Sequence, residues 1–263
     1  MNIDLRLGDC LEVMKTIEDN SIDAIITDIP YGTTDCKWDS VIDFDLMWSE
    51  LNRVIKSKGA IVLFGSEPFS STLRMSNLKG YKYDWIWSKK MTGGFANAKY
   101  KPMKAHEEII VFSNDVINYY PQMIERTEKE LKRFAYKSKE TTKSDHRSCK
   151  GKTGNRFDNK MKYPSTVINI NGIVNSSNEK VIHPTQKPLE LMRYLINTYS
   201  KKGDTILDFT MGSGTTMVAC VETERNGIGI ELDETYYNLA KKRVEEKKEE
   251  KDNEPQTLFN AQN

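Results

Sequence analysis

Nothing in this chain restricts its fold more than the stretch Ile206-Leu207-Asp208-Phe209-Thr210-Met211-Gly212-Ser213-Gly214-Thr215-Thr216. The apolar run reads as the end of a buried strand. A tight turn follows, and Met217 to Val221 continues with helical periodicity. Glycines at 212 and 214 open backbone angles closed to other residues and let a ligand approach the main chain. The free amides at the start of the next helix suit a negatively charged group. A second strand, Asn226 to Ile230, ends in Glu231, 17 residues past Gly214. That is near the spacing at which a doubly wound sheet sets a carboxylate on ribose hydroxyls. Strand, glycine turn, helix, strand and acid in this order make a nucleoside-cofactor site. A dinucleotide fingerprint needs a third glycine at position 217, where Met217 stands, so that version of the site fails at one of three positions.

Elsewhere the same alternation repeats. Ile3 to Leu7 reads as a half-buried strand leading into Gly8-Asp9-Cys10, and Leu11, Met14 and Ile17 give a short amphipathic helix. Ile22 to Thr27 is a buried strand that stops at Asp28-Ile29-Pro30-Tyr31-Gly32. Phe44 to Ile55 is helical in period, with Gly59 ending it before the strand Ala60 to Phe64. A helix is expected over 67–78, and strands over Tyr83 to Trp87, Glu108 to Phe112 and Val167 to Ile170. Pro188 suits the first turn of a helix carrying Leu191, Met192, Leu195 and Ile196. A last helix begins after Asp233. Strands alternating with helices predict a mostly parallel sheet covered on both faces.

The texture changes near Gln122. Between Glu125 and Lys162 stand 13 Lys/Arg against 6 Asp/Glu, a net charge of +7, with few large apolar residues. The stretch reads either as a solvated loop or as the lining of a groove for a phosphate backbone. The whole chain carries only +1, so the distribution, not the total, points to a polyanion. Four cysteines at 10, 36, 149 and 220 form no CxxC or Cys/His cluster, which argues against a zinc site and a disulfide framework. The amino terminus lacks the apolar core of a signal peptide, and no run reaches membrane-spanning length. A soluble, cytoplasmic protein without metal or membrane contact is expected.

Asp28-Ile29-Pro30-Tyr31 sits just past a buried strand, and ligand sites in open parallel sheets collect beyond the carboxyl ends of strands. It can therefore share a crevice with the glycine turn about 180 residues away. A carboxylate, a stiff backbone carbonyl and an aromatic face suit a planar ring bearing an amino group. Together the two stretches resemble the catalytic Asp-Pro-Pro-Tyr and the cofactor-binding Phe-x-Gly-x-Gly motifs of the amino-group DNA methyltransferases. Here the catalytic motif comes first, the cofactor motif last, and a variable segment lies between, an order similar to the β group of that family. Gly8-Asp9, His106-Glu107, His183-Pro184-Thr185-Gln186-Lys187-Pro188 and Gly229-Ile230-Glu231 match its further landmarks. Ile29 replaces a proline of the catalytic motif but keeps the carbonyl. The cofactor turn has one extra residue before its glycines, and Thr210 stands where the family often has proline.

The resemblance implies a Rossmann-like α/β methyltransferase fold with circularly permuted motifs. Its parts are a catalytic half over 1–121, a basic target-recognition insert over 122–163, a cofactor half over 164–250 and a tail over 251–263. It implies site-specific transfer of methyl from S-adenosylmethionine to the exocyclic amine of a base flipped out of double-stranded DNA. Adenine N6 is favoured, cytosine N4 is the alternative, and an RNA or protein methyltransferase or a non-catalytic DNA-binding protein are further ones. Asp28, Ile29, Pro30 and Tyr31 would act on the amine. Asp9, Cys10, Thr185, Lys187, Asp208, Phe209, Gly212, Ser213, Gly214, Thr215, Thr216, Glu231 and Leu232 would hold the cofactor, with Glu231 on the ribose and Thr185–Lys187 at the methionine end. Lys89, Lys90, Arg126, Lys129, Lys132, Arg133, Arg147, Lys150 and Arg156 are candidates for DNA phosphates. His106 and His183 read as structural rather than as bases. A homodimer and a restriction endonuclease partner are options the sequence leaves open.

Overall fold

The computed structural model describes residues 1–32, 41–137, 160–172 and 186–253, without the side chains of 90, 91 and 133–137. In chain order the elements are β1 (Ile3–Leu7), α1 (Cys10–Met14), β2 (Ile22–Thr27), α2 (Phe44–Val54), β3 (Ile55–Gly65), α3 (Phe69–Ser76), β4 (Tyr81–Gly93) and β5 (Lys104–Phe112). There follow β6 (Ile124–Glu125), α4 (Glu128–Lys137), β7 (Met161–Lys162), β8 (Val167–Asn169), α5 (Leu189–Tyr199), β9 (Thr205–Asp208), α6 (Thr215–Thr223), β10 (Asn226–Glu231) and α7 (Glu234–Asn253). Two compact units result, Met1–Tyr120 with Thr166–Asn263, and Pro121–Ser165.

The larger unit is built on an eight-stranded sheet in the order β1-β10-β9-β2-β3-β5-β4-β8. Within that sheet β5 alone runs against its neighbours. Period-two alternation sends successive side chains to opposite faces. On β3, Ala60, Val62 and Phe64 join the apolar layer of α5, α6 and α7, while Ile61 and Leu63 join that of α1, α2 and α3. Both faces are covered, which is why β2 and β3 read as continuous apolar runs.

Some boundaries differ from the sequence expectation. Helix α2 ends at Val54, because Ile55 is already extended (φ −75°, ψ 138°). Strand β3 starts there and bulges against β2 between its pairings Ile22↔Ile55 and Ala24↔Ala60. Gly59 is therefore not the helix terminator. It lies inside the strand, where a Cβ would come within 2.8 Å of the Asp23 carbonyl oxygen. Helix α3 begins at Phe69 with Pro68 as its cap, two residues after Glu67, and β4 runs on to Gly93. In the smaller unit, the stretch read as loop or groove holds helix α4 and the antiparallel pair β6–β7. Lys162 ties the two by an ion pair to Glu130 at 2.6 Å. Among the described residues no helix is long and apolar enough to cross a membrane, and no group of three metal-ligating side chains occurs.

Candidate active site

Strands β2 and β9 lie side by side, pairing Ala24 with Ile206 and Ile25 with Leu207. Their carboxyl ends deliver Asp28 and Asp208 to one edge of the sheet. After Asp208 the chain turns through Gly212 (φ 52°) and Gly214 (φ 76°) into α6. At Gly214 a Cβ would stand 2.7 Å from that of Ala240, so glycine also lets α7 close on the turn. The next strand, β10, ends in Glu231, whose Oε2 accepts from the Gly212 amide at 2.8 Å and Oε1 from that of Asp233 at 2.9 Å. Burial raises the Glu231 carboxyl above its ordinary range, with those amides holding the rise back.

A hydroxyl network joins the two strand ends. Thr27 Oγ1 donates to Asp208 Oδ1 at 2.6 Å, and Thr216 Oγ1 donates to Asp208 Oδ2. The hydroxyls of Thr27 and Thr210 are 2.7 Å apart, and Thr210 Oγ1 donates to the Asp28 carbonyl oxygen at 3.1 Å. The threonine that stands for proline thus adds a link that proline lacks. Burial pushes the Asp208 carboxyl up to about 6, against the pull of its hydroxyl donors.

Asp28 is held from both sides. Tyr31 Oη donates to Oδ1 at 2.6 Å, and Lys187 Nζ donates to Oδ2. Tyr31 itself leans on Phe69 of α3, with ring centroids 4.9 Å apart. Lys187 Nζ is also 3.4 Å from Glu107 Oε2, and Lys89 pairs with Glu107 Oε1. Burial raises the Asp28 carboxyl more than Lys187 lowers it. At Glu107 burial also pushes upward, but Lys187 and Lys89 outweigh it and the carboxyl ends lowered. Lys187 is raised, because Asp28 and Glu107 together exceed the burial penalty. The cluster is thus a cation set between two acids, of which Asp28 is the more easily protonated.

These parts enclose a cavity of about 230 Å³. Its lining includes Asp9, Cys10, Asp28, Ile29, Pro30, Tyr31, Lys187, Asp208, Phe209, Gly212, Ser213, Thr215, Thr216, Glu231 and Leu232. Gly8, Ile42, Gln186, Met192, Thr210, Met211 and Tyr236 also line it. Gly8, Gln186, Thr210 and Met211 lie within the sequence motifs, Gln186 in the segment expected at the methionine end, whereas Ile42, Met192 and Tyr236 had no expected site role. Of these three, the position of Tyr236 in the first turn of the helix after Glu231 offered a signal. Asp9 caps α1, accepting from the Leu11 and Glu12 amides at 2.9 and 3.2 Å. Burial pushes the Cys10 thiol up to about 12, so it sits there as a neutral group.

Gly214 packs against α7 instead of lining the cavity. Lys187, expected at the methionine end of a cofactor, is bonded to Asp28. Lys89, expected on phosphates, is bound to Glu107 and lies over the Trp87 ring, 4.9 Å from its centroid. Glu107 belongs to this cluster, and its only sequence signal was the His106-Glu107 landmark. His106 is exposed on β5. Arg126, Lys129 and Lys132 lie in the smaller unit, with Lys129 and Lys132 exposed on α4. Thr185, Arg147, Lys150, Arg156 and His183, and the side chains of Lys90 and Arg133, lie outside the described residues.

A family model described as DNA methylase, of the N6/N4 methyltransferase type, matches residues 22–242. The Type II methyltransferase M.HpaI of Haemophilus parainfluenzae is 30% identical over 261 residues, covering 92% of this chain and 75% of that protein. The DNA adenine methyltransferase YhdJ of Escherichia coli K12 is 28% identical over 263 residues, covering 90% and 81%. Among solved structures, the M1.HpyAVI–SAM complex matches with a TM-score of 0.58 at 23% identity, over 92% of this chain and 99% of that one. The PvuII cytosine-N4-specific DNA methyltransferase matches with a TM-score of 0.63 at 17% identity, over 92% and 86%.

Proposed function

Because this chain belongs to the N6/N4 DNA methylase family, we propose that it moves a methyl group from S-adenosylmethionine to the exocyclic amine of a DNA base, adenine N6 in preference to cytosine N4. One observation carries the reading: the Asp28–Tyr31 turn and the Asp208–Thr216 turn line the same cavity. The charge of that lining also supports the cofactor. Asp9, Asp28, Asp208 and Glu231 face it against the single described cation Lys187, which is already bound to Asp28. Such a lining fits a cationic, hydroxyl-bearing nucleoside and opposes the pyrophosphate of a dinucleotide. Glu231 keeps lone pairs for ribose hydroxyls beyond its two amide donors.

Bound S-adenosylmethionine supplies an electrophilic methyl group. The chain's part is to make a poor nucleophile reactive. An exocyclic amine delocalises its lone pair into the ring. Acceptance of its two hydrogens by the Asp28 carboxylate and the Ile29 carbonyl favours a pyramidal nitrogen and localises that pair. Asp28 then stabilises the positive charge that grows on nitrogen, and its raised pKa suits it to receive the proton released. Lys187 Nζ occupies Oδ2 in the meantime and must yield or share it when the amine arrives. Tyr31 offers a face for stacking. Adenine is favoured by the Asp at position 28, where cytosine-N4 enzymes tend toward Ser. The basic unit Pro121–Ser165 is proposed as the target-recognition part, and the chain as soluble, DNA-associated and able to work beside a restriction endonuclease.

The test is direct. Purified protein, labelled S-adenosylmethionine and unmethylated plasmid DNA should yield N6-methyladenine on digestion to nucleosides. N4-methylcytosine would overturn the adenine assignment alone, and no labelled base would overturn the activity. Glu231→Ala should weaken S-adenosylmethionine binding by about 1.5–3 kcal/mol, the scale of a charged hydrogen bond. Unchanged affinity by calorimetry would move the ribose acid elsewhere.

A further inference from the structure

The connection between β4 and β5 has no part in the cavity, yet it emerges beside it. Strand β4 runs in the direction of β2 and β3, since both β3 and β4 oppose β5. Its carboxyl end therefore leaves the sheet at the edge that carries Asp28. The stem is fastened there: Lys89 of β4 pairs with Glu107 of β5, which is 3.4 Å from the Lys187 ammonium bound to Asp28. Lys104 donates to Ser66, the residue after β3.

The tip is ordered by its own backbone. Gly94 takes a left-handed conformation (φ 86°) and starts a 3-10 turn, Phe95–Asn97. The amides of Ala98 and Tyr100 donate to the carbonyls of Phe95 and Asn97 at 3.1 and 2.9 Å. What this turn presents is unusual. Phe95 is 84% exposed and Tyr100 87% exposed, and every residue from 92 to 104 is exposed. Between Lys89 and Lys104 the sequence holds five lysines and no acid. Bare aromatic rings among lysines are the makings of a surface that stacks on bases and meets phosphates.

We propose that this hairpin tip enters duplex DNA beside the target nucleotide. Lys99 and Lys101 contact the flanking phosphates, and Phe95 and Tyr100 stack in the space the flipped base vacates. The proposal rests on the DNA methyltransferase reading above and adds an element that the basic unit does not supply. A base leaving the stack exposes neighbouring ring faces at an unstacking cost, and an apolar side chain inserted between base steps covers them. Aromatic rings held at the catalytic edge lower that cost at the place where it arises.

The experiment uses the full chain, with the methylated sequence first read from plasmid DNA exposed to the parent. A duplex carrying that sequence with 2-aminopurine at the target position reports flipping by its fluorescence. Phe95→Ala/Tyr100→Ala should lose most of that fluorescence rise and slow methyl transfer roughly tenfold to a hundredfold, with S-adenosylmethionine affinity unchanged. Lys99→Ala/Lys101→Ala should lower the slope of log affinity against log salt by about two. All four side chains are exposed, so the fold should survive, and circular dichroism checks it. Parent-like flipping, transfer and salt slope in both variants would overturn this inference while leaving the methyltransferase reading intact. A parent that neither binds nor methylates DNA would overturn both. Loss of self-association in the aromatic variant, with DNA behaviour unchanged, would make the tip a protein contact and also overturn it.

Discussion

Asp28 carries two donors at rest, the Tyr31 hydroxyl and the Lys187 ammonium. Asp28→Ala should keep S-adenosylmethionine affinity and lose methyl transfer by at least a hundredfold, the lower range for a group acting on a transferred proton or its charge. Single-turnover transfer within tenfold of the parent would remove it from the chemistry. Lys187 lowers the carboxyl it holds, so Lys187→Met should move the acid limb of the pH–rate profile to higher pH. The same change takes the buried cation from Asp28 and leaves Glu107 with Lys89 alone, and should cost about 3–5 kcal/mol in urea unfolding. Asp208 gives a pH signature of its own, because burial takes it from 3.8 to about 6. A carboxyl raised by folding stabilises fully below its unfolded value, and that contribution is lost as pH rises through the folded one. Over those two units the loss is roughly 3 kcal/mol. Asp208→Asn should remove this decline, so its stability relative to the parent should rise between pH 4 and pH 7. A constant difference across that range would contradict the buried-acid account. Asp28 and Glu231 were legible in the sequence because each ends an apolar strand, where chemistry and position are read together. Glu107 was not, since its partner Lys187 reaches it only through the strand order.

The glycine turn and α6 show where element-level reading succeeds. Turn, helix and acid are local in sequence, so spacing is enough to find them. Gly214→Ala should cost about 1–2 kcal/mol for the left-handed backbone alone, and more because its Cβ would press on Ala240. A urea midpoint equal to the parent's would mean that α7 shifts freely. The position at which a dinucleotide fold wants glycine is filled by Met217, and β10 makes room for it. A Cβ at Gly227 would lie 2.8 Å from the Met217 sulfur. Reading reached less far where the partner is remote. The start of β3 at Ile55 is set by pairing with Ile22, and alternation within the segment carries no trace of that. Strand β5 runs against its neighbours because only a short loop separates it from β4, too short for the crossover that parallel strands need. In the basic stretch, α4 does carry Leu131, Phe134 and Ala135 at helical spacing, and the charge count drew the reading away from that pattern.

At the scale of the molecule, the two units invite separate tests. Replacing Pro121–Ser165 by the matching segment of a relative should change the methylated sequence and leave S-adenosylmethionine affinity alone. Neutralising Arg126, Lys129, Lys132 and Arg133 should instead weaken all sites alike and flatten the salt dependence by up to about four. Unchanged affinity and slope would return the stretch to a solvated role. In the larger unit, β1 has β10 as its one neighbour in the sheet among the described residues, Ile3 pairing with Gly227. Likewise β9, from late in the chain, fills the place between β10 and β2. A ribosome therefore releases the first strand roughly 220 residues before its partner, a wait on the order of 10–40 s at about 5–20 residues per second. Through that interval β1 and one side of β2 are open edges, ready to pair with other chains. Nascent chains arrested before Thr205 should be cleaved by protease near Ile3–Leu7, and the finished chain should resist. The motif order thus makes the newborn protein a client for whatever shields unpaired strands during translation.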